Sequence, residues 1–188
     1  MTGNDELLQA YSPQGEPTDS LSKQNGKAGT LHGASHVWIW RISGGNIEIL
    51  LQRRASNKTT WPDFQDISAA GHVDFGETPL VAAIRETQEE LGLSLKAEDL
   101  LLLFVHRTYM VPPNHSVIEN EFQWVYGYRA QKDFEPDYAD GEVDSTMWLP
   151  LREFQDLIAG KMAGEIIVPH GDAYFGSLIE ELTRQSNE

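Results

Sequence analysis

The sequence predicts a mixed α/β (α+β) sandwich, a mixed and largely antiparallel sheet with helices on its faces. Three observations predict it. Two strand-like runs, HVWIWRI at 36–42 and IEILLQR at 47–53, flank a Ser43-Gly44-Gly45-Asn46 turn with hairpin chemistry. An amphipathic helix lies between Thr78 and Gly92, with start and stop signals at its ends. Strand-like runs at 100–110, 122–130 and 143–149 follow, then helical runs at 151–159 and 172–184. Strands that pair mostly antiparallel must cover their apolar faces with helices, which gives a sandwich.

Taken in order, residues 1–30 form a polar extension in which Pro13, Gly15 and Pro17 break any helix. Residues 7–11 and the SPQGEP segment suit a small hairpin, and 23–29 reads as loop. The main domain is expected over 31–188. Residues 54–66 read as a loop containing Trp61-Pro62, and 67–70 as a short strand. A bend at Pro112-Pro113-Asn114-His115 separates the next two strands. Trp38, Trp40, Trp124 and Trp148 read as core or sheet-face aromatics, and Trp61 as a wall for a bound substrate.

Composition narrows the function. Lys plus Arg number 14 against 29 Asp plus Glu, a net charge of −15, which disfavours nucleic acid and anionic membranes as partners. With no cysteine there is neither a disulfide nor a thiolate site. No apolar run reaches spanning length and no signal-peptide pattern opens the chain, so a cytoplasmic protein is the expectation.

The central helix carries the chemistry. Thr78 suits the N-cap, Pro79 the first turn and Gly92 the C-terminal stop. Leu80, Ile84, Thr87 and Leu91 recur at helical spacing and form the expected buried stripe. Glu86, Glu89 and Glu90, three and four residues apart, are expected to gather on the opposite face, with Arg85 leaning over them. Such a cluster is either a solvated acidic face or a ligand set. Hard oxygen donors in that number suit Mg²⁺ or Mn²⁺.

Residues 71–93 join these groups into one pattern: Gly71, Glu77, Arg85-Glu86, Glu89-Glu90, then Gly92 before an apolar residue. In charge, glycine and spacing this resembles the Nudix box. Thr87 departs, standing where the family has an aliphatic residue. The resemblance implies a three-layer α/β/α fold and a metal-dependent hydrolase of diphosphates. It implies Glu86 and Glu90 as metal ligands, Glu89 as ligand or base and the Gly71 carbonyl as a further ligand. Arg85 would orient the carboxylates, supported by Glu77. Many proteins of this fold pair as homodimers; the partner otherwise implied is a small-molecule diphosphate.

A second resemblance is narrower. LHGASHVWIW, LLQRRASNKTTWP, DISAAGHVDFGE and IENEF are similar to the isopentenyl-diphosphate isomerase branch of that superfamily. It implies His32, His72, Glu119 and Glu121 as metal ligands, Arg54 and Lys58 as diphosphate-binding residues and Tyr109 as a site residue. A further histidine ligand of the isomerases falls at Asn25 and their cysteine at Ala70. Alanine moves no proton, which disfavours isomerisation. Three readings therefore stand: a hydrolase of a nucleoside di- or triphosphate, thiamine diphosphate or an isoprenoid diphosphate; an isomerase; and a binding module without turnover. Loops at 55–65, 111–117 and 133–141 are the candidates for selecting the organic group.

Overall fold

The computed structural model describes residues 7–112, 117–131, 134–137 and 141–186. Alternation of side chains along its longest strand organises the molecule. That strand, β3 (His32–Ser43), follows a hairpin of β1 (Leu7–Tyr11) and β2 (Pro17–Ser22) and the short helix α1 (Lys23–Lys27). Then come β4 (Asn46–Arg54), β5 (Gln65–Asp66), β6 (Ala69–His72) and helix α2 (Pro79–Leu91). Strands β7 (Leu101–Met110), β8 (Glu119–Arg129) and β9 (Val143–Pro150) lead into α3 (Leu151–Ile158) and α4 (Asp172–Ser186).

β3 pairs parallel with β8 along His32–Trp40 and antiparallel with β4 at its far end. Its near end pairs with β6, and β9 and β7 extend the sheet beyond β4 and β8. The sheet is therefore mixed and mostly antiparallel, as its strand pattern indicates.

Trp38 and Trp40 project to one face, with Ile49 and Leu51, against Phe154, Leu157, Tyr174 and Leu178 of α3 and α4. Val37, Ile39 and Leu50 project to the other, against Ala83 and Leu91 of α2. Period-two alternation on adjacent strands thus fills two cores, one on each side. No helix among the described residues is long and apolar enough to cross a membrane.

Two local expectations are corrected. Residues 23–27 are helical rather than loop, because Ser22 caps them by accepting the Asn25 N–H at 3.3 Å. The stretch expected as loop over 54–66 ends in strand β5, held on β4 through Gln52–Asp66 and Arg53–Gln65. Trp124 and Trp148 are sheet-face aromatics, as expected, partly buried against the second core; Trp124 packs on Tyr11, and Trp148 lies under Arg41 at 4.0 Å. The Pro112–His115 bend lies mostly outside the described residues, as do parts of the 111–117 and 133–141 loops.

Candidate active site

α2 begins and ends as its residues dictate. The Thr78 hydroxyl accepts the Val81 N–H at 3.3 Å, and Gly92 takes the left-handed conformation at φ 66°. A Cβ at Gly92 would also meet the Asp137 carbonyl at 2.4 Å, so glycine is required twice over.

The face that α2 turns to the sheet differs from the expected stripe. Ala82, Ala83, Thr87, Glu90 and Leu91 are buried, while Leu80 and Ile84 sit half-buried at its margin. The two alanines let the helix approach closely. Thr87, fully buried, donates its hydroxyl to the Ala83 carbonyl at 2.7 Å, so the departure from an aliphatic residue leaves no polar group unpaired.

The three carboxylates consequently do not share one exposed face. Glu90 lies beneath the helix, 4% exposed, its Oε2 accepting from Gln52 Nε2 at 3.1 Å and from the Ala70 N–H at 3.0 Å. Its place three residues after Thr87 and one before Leu91 dictates this. Glu86 is half-buried against β6, and Glu89 alone is exposed. A Cβ at Gly71 would stand 2.0 Å from Glu86 Cδ, so the carboxylate occupies the space where any other residue's side chain would be.

Arg85 ties this wall together. It grips Glu77 with Nε at 3.1 Å and Nη2 at 3.0 Å, reaches the His72 carbonyl at 3.0 Å, and donates to Glu86 at 2.6 Å and Glu89 at 3.1 Å. Burial opposes its charge, but the Glu77 and Glu86 carboxylates outweigh it and raise its pKa. Burial pushes Glu86 up to about 7 against the pull of Arg85, and Glu90 up to about 8 despite the Ala70 N–H. Two carboxyls held this way, with a third beside them, form a set of oxygen donors suited to a hard divalent cation.

A second donor set faces them across the same cavity, a space of about 650 Å³. The parallel register of β3 and β8 sets His32 opposite Glu121, and β6 brings His72 alongside, the two rings 5.1 Å apart. One ligand atom from each of His32, His72 and Glu121 lies within 4.8 Å of the others. His32 Nδ1 donates to the Thr30 carbonyl at 2.7 Å, which leaves Nε2 facing Glu121 Oε1 at 3.4 Å. Burial opposes ionisation of Glu121, yet His32, His72 and Gln123 hold its pKa down to about 2. Glu119 projects to the same side of β8 and lines the cavity; burial and the Glu121 charge push it up to about 7.

The remaining expected residues are placed as follows. Arg54 and Lys58 both line the cavity, but each is engaged by protein. Arg54 donates to Asp66 at 2.9 Å and to the Thr60 carbonyl at 3.2 Å and 3.1 Å; Lys58 is paired with Glu142. Trp61 lines the cavity at φ 50°, with its indole N–H buried and without a hydrogen-bond partner among the described residues. Ala70 lines the cavity, Asn25 is exposed on α1, and Tyr109 is 67% exposed on β7.

Sequence reading missed His36, Asp66, Glu142 and His170, all of which line the same cavity. Asp66, 4% exposed, accepts from Arg54 and, 104 residues away, from His170 Nε2 at 3.0 Å. No spacing rule reaches across such separations.

Residues 31–168 match the family model of the NUDIX domain. The chain is 31% identical over 169 residues to Nudix hydrolase 3 of Arabidopsis thaliana, covering 82% of this chain but 20% of that protein. It is 30% identical over 153 residues to the isopentenyl-diphosphate Delta-isomerase of Serratia proteamaculans, covering 81% of this chain and 80% of that one. A solved structure from Deinococcus radiodurans superposes with a TM-score of 0.67 at 23% identity, over 97% of this chain and all of the other, and shares the fold.

Proposed function

We propose that this chain, which belongs to the Nudix family, is a metal-dependent hydrolase that cleaves the diphosphate bond of an organic diphosphate. The observation that carries the reading is the packing of Glu86 into the space left by Gly71, beside buried Glu90 and under the Arg85 clamp. A carboxylate pair with raised pKa values is poorly stabilised by its own surroundings, and a divalent cation is the partner that fits.

Glu86 and Glu90, with Glu89 and the Gly71 carbonyl, would hold Mg²⁺ or Mn²⁺ on the helix side, and His32, His72, Glu121 and Glu119 would hold a further ion opposite. Bound there, divalent ions neutralise phosphoryl oxygens and lower the pKa of coordinated water. Arg85 fixes the carboxylates in place through its fork of hydrogen bonds. Arg54 and Lys58 set positive charge on the cavity wall, and Trp61 offers an aromatic face and an N–H. One of these glutamates would take the proton from the attacking water.

Similarity to isopentenyl-diphosphate isomerases over most of both chains supports a second reading, an isomerase. Ala70 opposes it, since its side chain moves no proton. One assay separates the two: phosphate and diphosphate release with Mg²⁺ or Mn²⁺ over nucleoside di- and triphosphates, thiamine diphosphate and isopentenyl diphosphate. Release abolished in Glu90→Gln supports the hydrolase; allylic isomer formed without release supports the isomerase.

A further inference from the structure

Buried glutamates on both walls of the cavity are held by the same device, a glutamine amide on one carboxylate oxygen. On the helix side Gln52 Nε2 donates to Glu90 Oε2 at 3.1 Å; opposite, Gln123 Nε2 donates to Glu121 Oε2 at 3.0 Å. Glu121 and Gln123 are two residues apart on β8, so their side chains stand side by side on one face. Gln123 is 3% exposed and borders the cavity. Its row in the sheet runs through Ala34 of β3 to His72 of β6, and the Ala34 methyl group can donate to neither neighbour.

The direction of the Gln123 amide is fixed by its partner. Glu121 is held ionised, so it only accepts, and the amide must turn its nitrogen to Oε2 and its carbonyl away. Gln123 Oε1 is then buried without a hydrogen-bond partner among the described residues. An unpaired buried acceptor is costly, and an apolar side chain of similar volume would avoid that cost. What only the amide supplies is the bond to Oε2.

That bond decides how Glu121 faces the histidines. The terminal torsion of a glutamate is broad, so a carboxylate without such a bond is free to rotate and to offer either oxygen or both. With Oε2 engaged, Oε1 alone points into the triad, 3.4 Å from His32 Nε2 and 3.8 Å from His72 Nε2. The Thr30 carbonyl fixes the His32 ring from behind in the same manner.

We propose that Gln123 is a positioning residue for the cation site opposite the helix, holding Glu121 by Oε2 so that Oε1 is the single oxygen presented between His32 and His72. The proposal rests on the reading that a divalent cation occupies this triad, and deepens it. Gln123 acts through Glu121 and is not itself a ligand. Loss of a hydrogen bond behind a ligand weakens metal binding by about 10- to 100-fold while every ligand remains.

Two variants remove the bond in different ways. Gln123→Met fills a similar volume with no donor and also removes the unpaired carbonyl. Gln123→Asn keeps the amide but stops one methylene short of Oε2. The full chain, stripped of metal, is titrated with Mn²⁺ and followed by pulsed electron paramagnetic resonance. Nitrogen modulation in that signal counts only the ion bound by imidazole, because the carboxylates of α2 carry no nitrogen. Each variant is expected to need about 10- to 100-fold more Mn²⁺ than wild type to reach half-maximal nitrogen modulation. The metal-free melting temperature of Gln123→Met should stay within about 3 °C of wild type, since loss of the donor is offset by loss of the unpaired acceptor.

Saturation at the wild-type Mn²⁺ concentration in either folded variant overturns the proposal and leaves the triad standing as a cation site. No nitrogen modulation in wild type overturns the reading of the triad itself, and the proposal with it. Weakened binding joined to a fall of more than about 10 °C in the metal-free melting temperature of both variants assigns Gln123 to the fold and overturns its positioning role. If Gln123→Met does not fold, Gln123→Asn decides by the same comparison.

Discussion

The carboxylate of Glu86 lies where a side chain on Gly71 would stand, with Cδ 2.0 Å from the position of a Cβ. Gly71→Ala must displace Glu86 from β6 and with it the Arg85 bond. Activity with Mg²⁺ is expected to fall by at least about 100-fold, as when a metal site loses its geometry. Far-ultraviolet circular dichroism should stay unchanged. An active Gly71→Ala protein would separate this packing from function.

Glu90→Gln keeps an acceptor for Gln52 and the Ala70 N–H but removes the charge. Turnover should drop by about 10³- to 10⁴-fold, in the range seen when one member of a catalytic unit is deleted. Near wild-type turnover would remove Glu90 from the mechanism.

The same variant isolates a pH effect in metal-free protein. Burial raises Glu90 from 4.5 to about 8, so between these values the folded state binds more protons than the unfolded one. Stability from this group is present below the unfolded value and is lost as pH rises through the folded one. Relative to Glu90→Gln, chelator-treated wild type should lose melting temperature progressively from about pH 5 to pH 8, and Mg²⁺ should remove the difference. Parallel melting curves across that window would contradict the burial argument.

Arg85 holds Glu77, Glu86 and Glu89 at once. Lysine cannot reproduce the fork, so Arg85→Lys should cost about 1–3 kcal/mol in denaturant melts, the range for hydrogen bonds to charged groups. Added Mg²⁺ should recover part of the loss by taking over neutralisation of the carboxylates. No recovery would indicate that Arg85 acts only as a brace.

Arg54→Ala leaves Asp66, 4% exposed, without its guanidinium partner. A fall of about 3 kcal/mol in stability is expected, as for breaking a buried ion pair. A raised KM with unchanged stability would instead make Arg54 a substrate contact first.

Much of the fold was legible in the sequence because its signals are local. Thr78 and Gly92 mark the ends of α2 by the bonds their own neighbours need, and the alternation of Val37, Trp38, Ile39 and Trp40 announces two cores. The helix α1 was not legible, since its only signal is one serine cap before a glycine-containing segment. The side of α2 that Glu90 occupies was misread because leucine and isoleucine outweigh alanine in a hydrophobic stripe, whereas close packing on a sheet favours the alanines.

By itself the sequence determined the layered fold, the box between Gly71 and Leu93, and which residue types are available to hold a cation. These follow from capping, from periods of two and of 3.6, and from charge at fixed helical spacing. Only the tertiary structure decided which groups meet. The parallel register of β3 and β8 sets His32 opposite Glu121, and the return of the chain through α4 brings Tyr174 to His36 across 138 residues. Contacts of that kind depend on how whole strands and helices dock, and burial in the docked state, not spacing along the chain, sets the proton affinities of Glu86, Glu90 and His36.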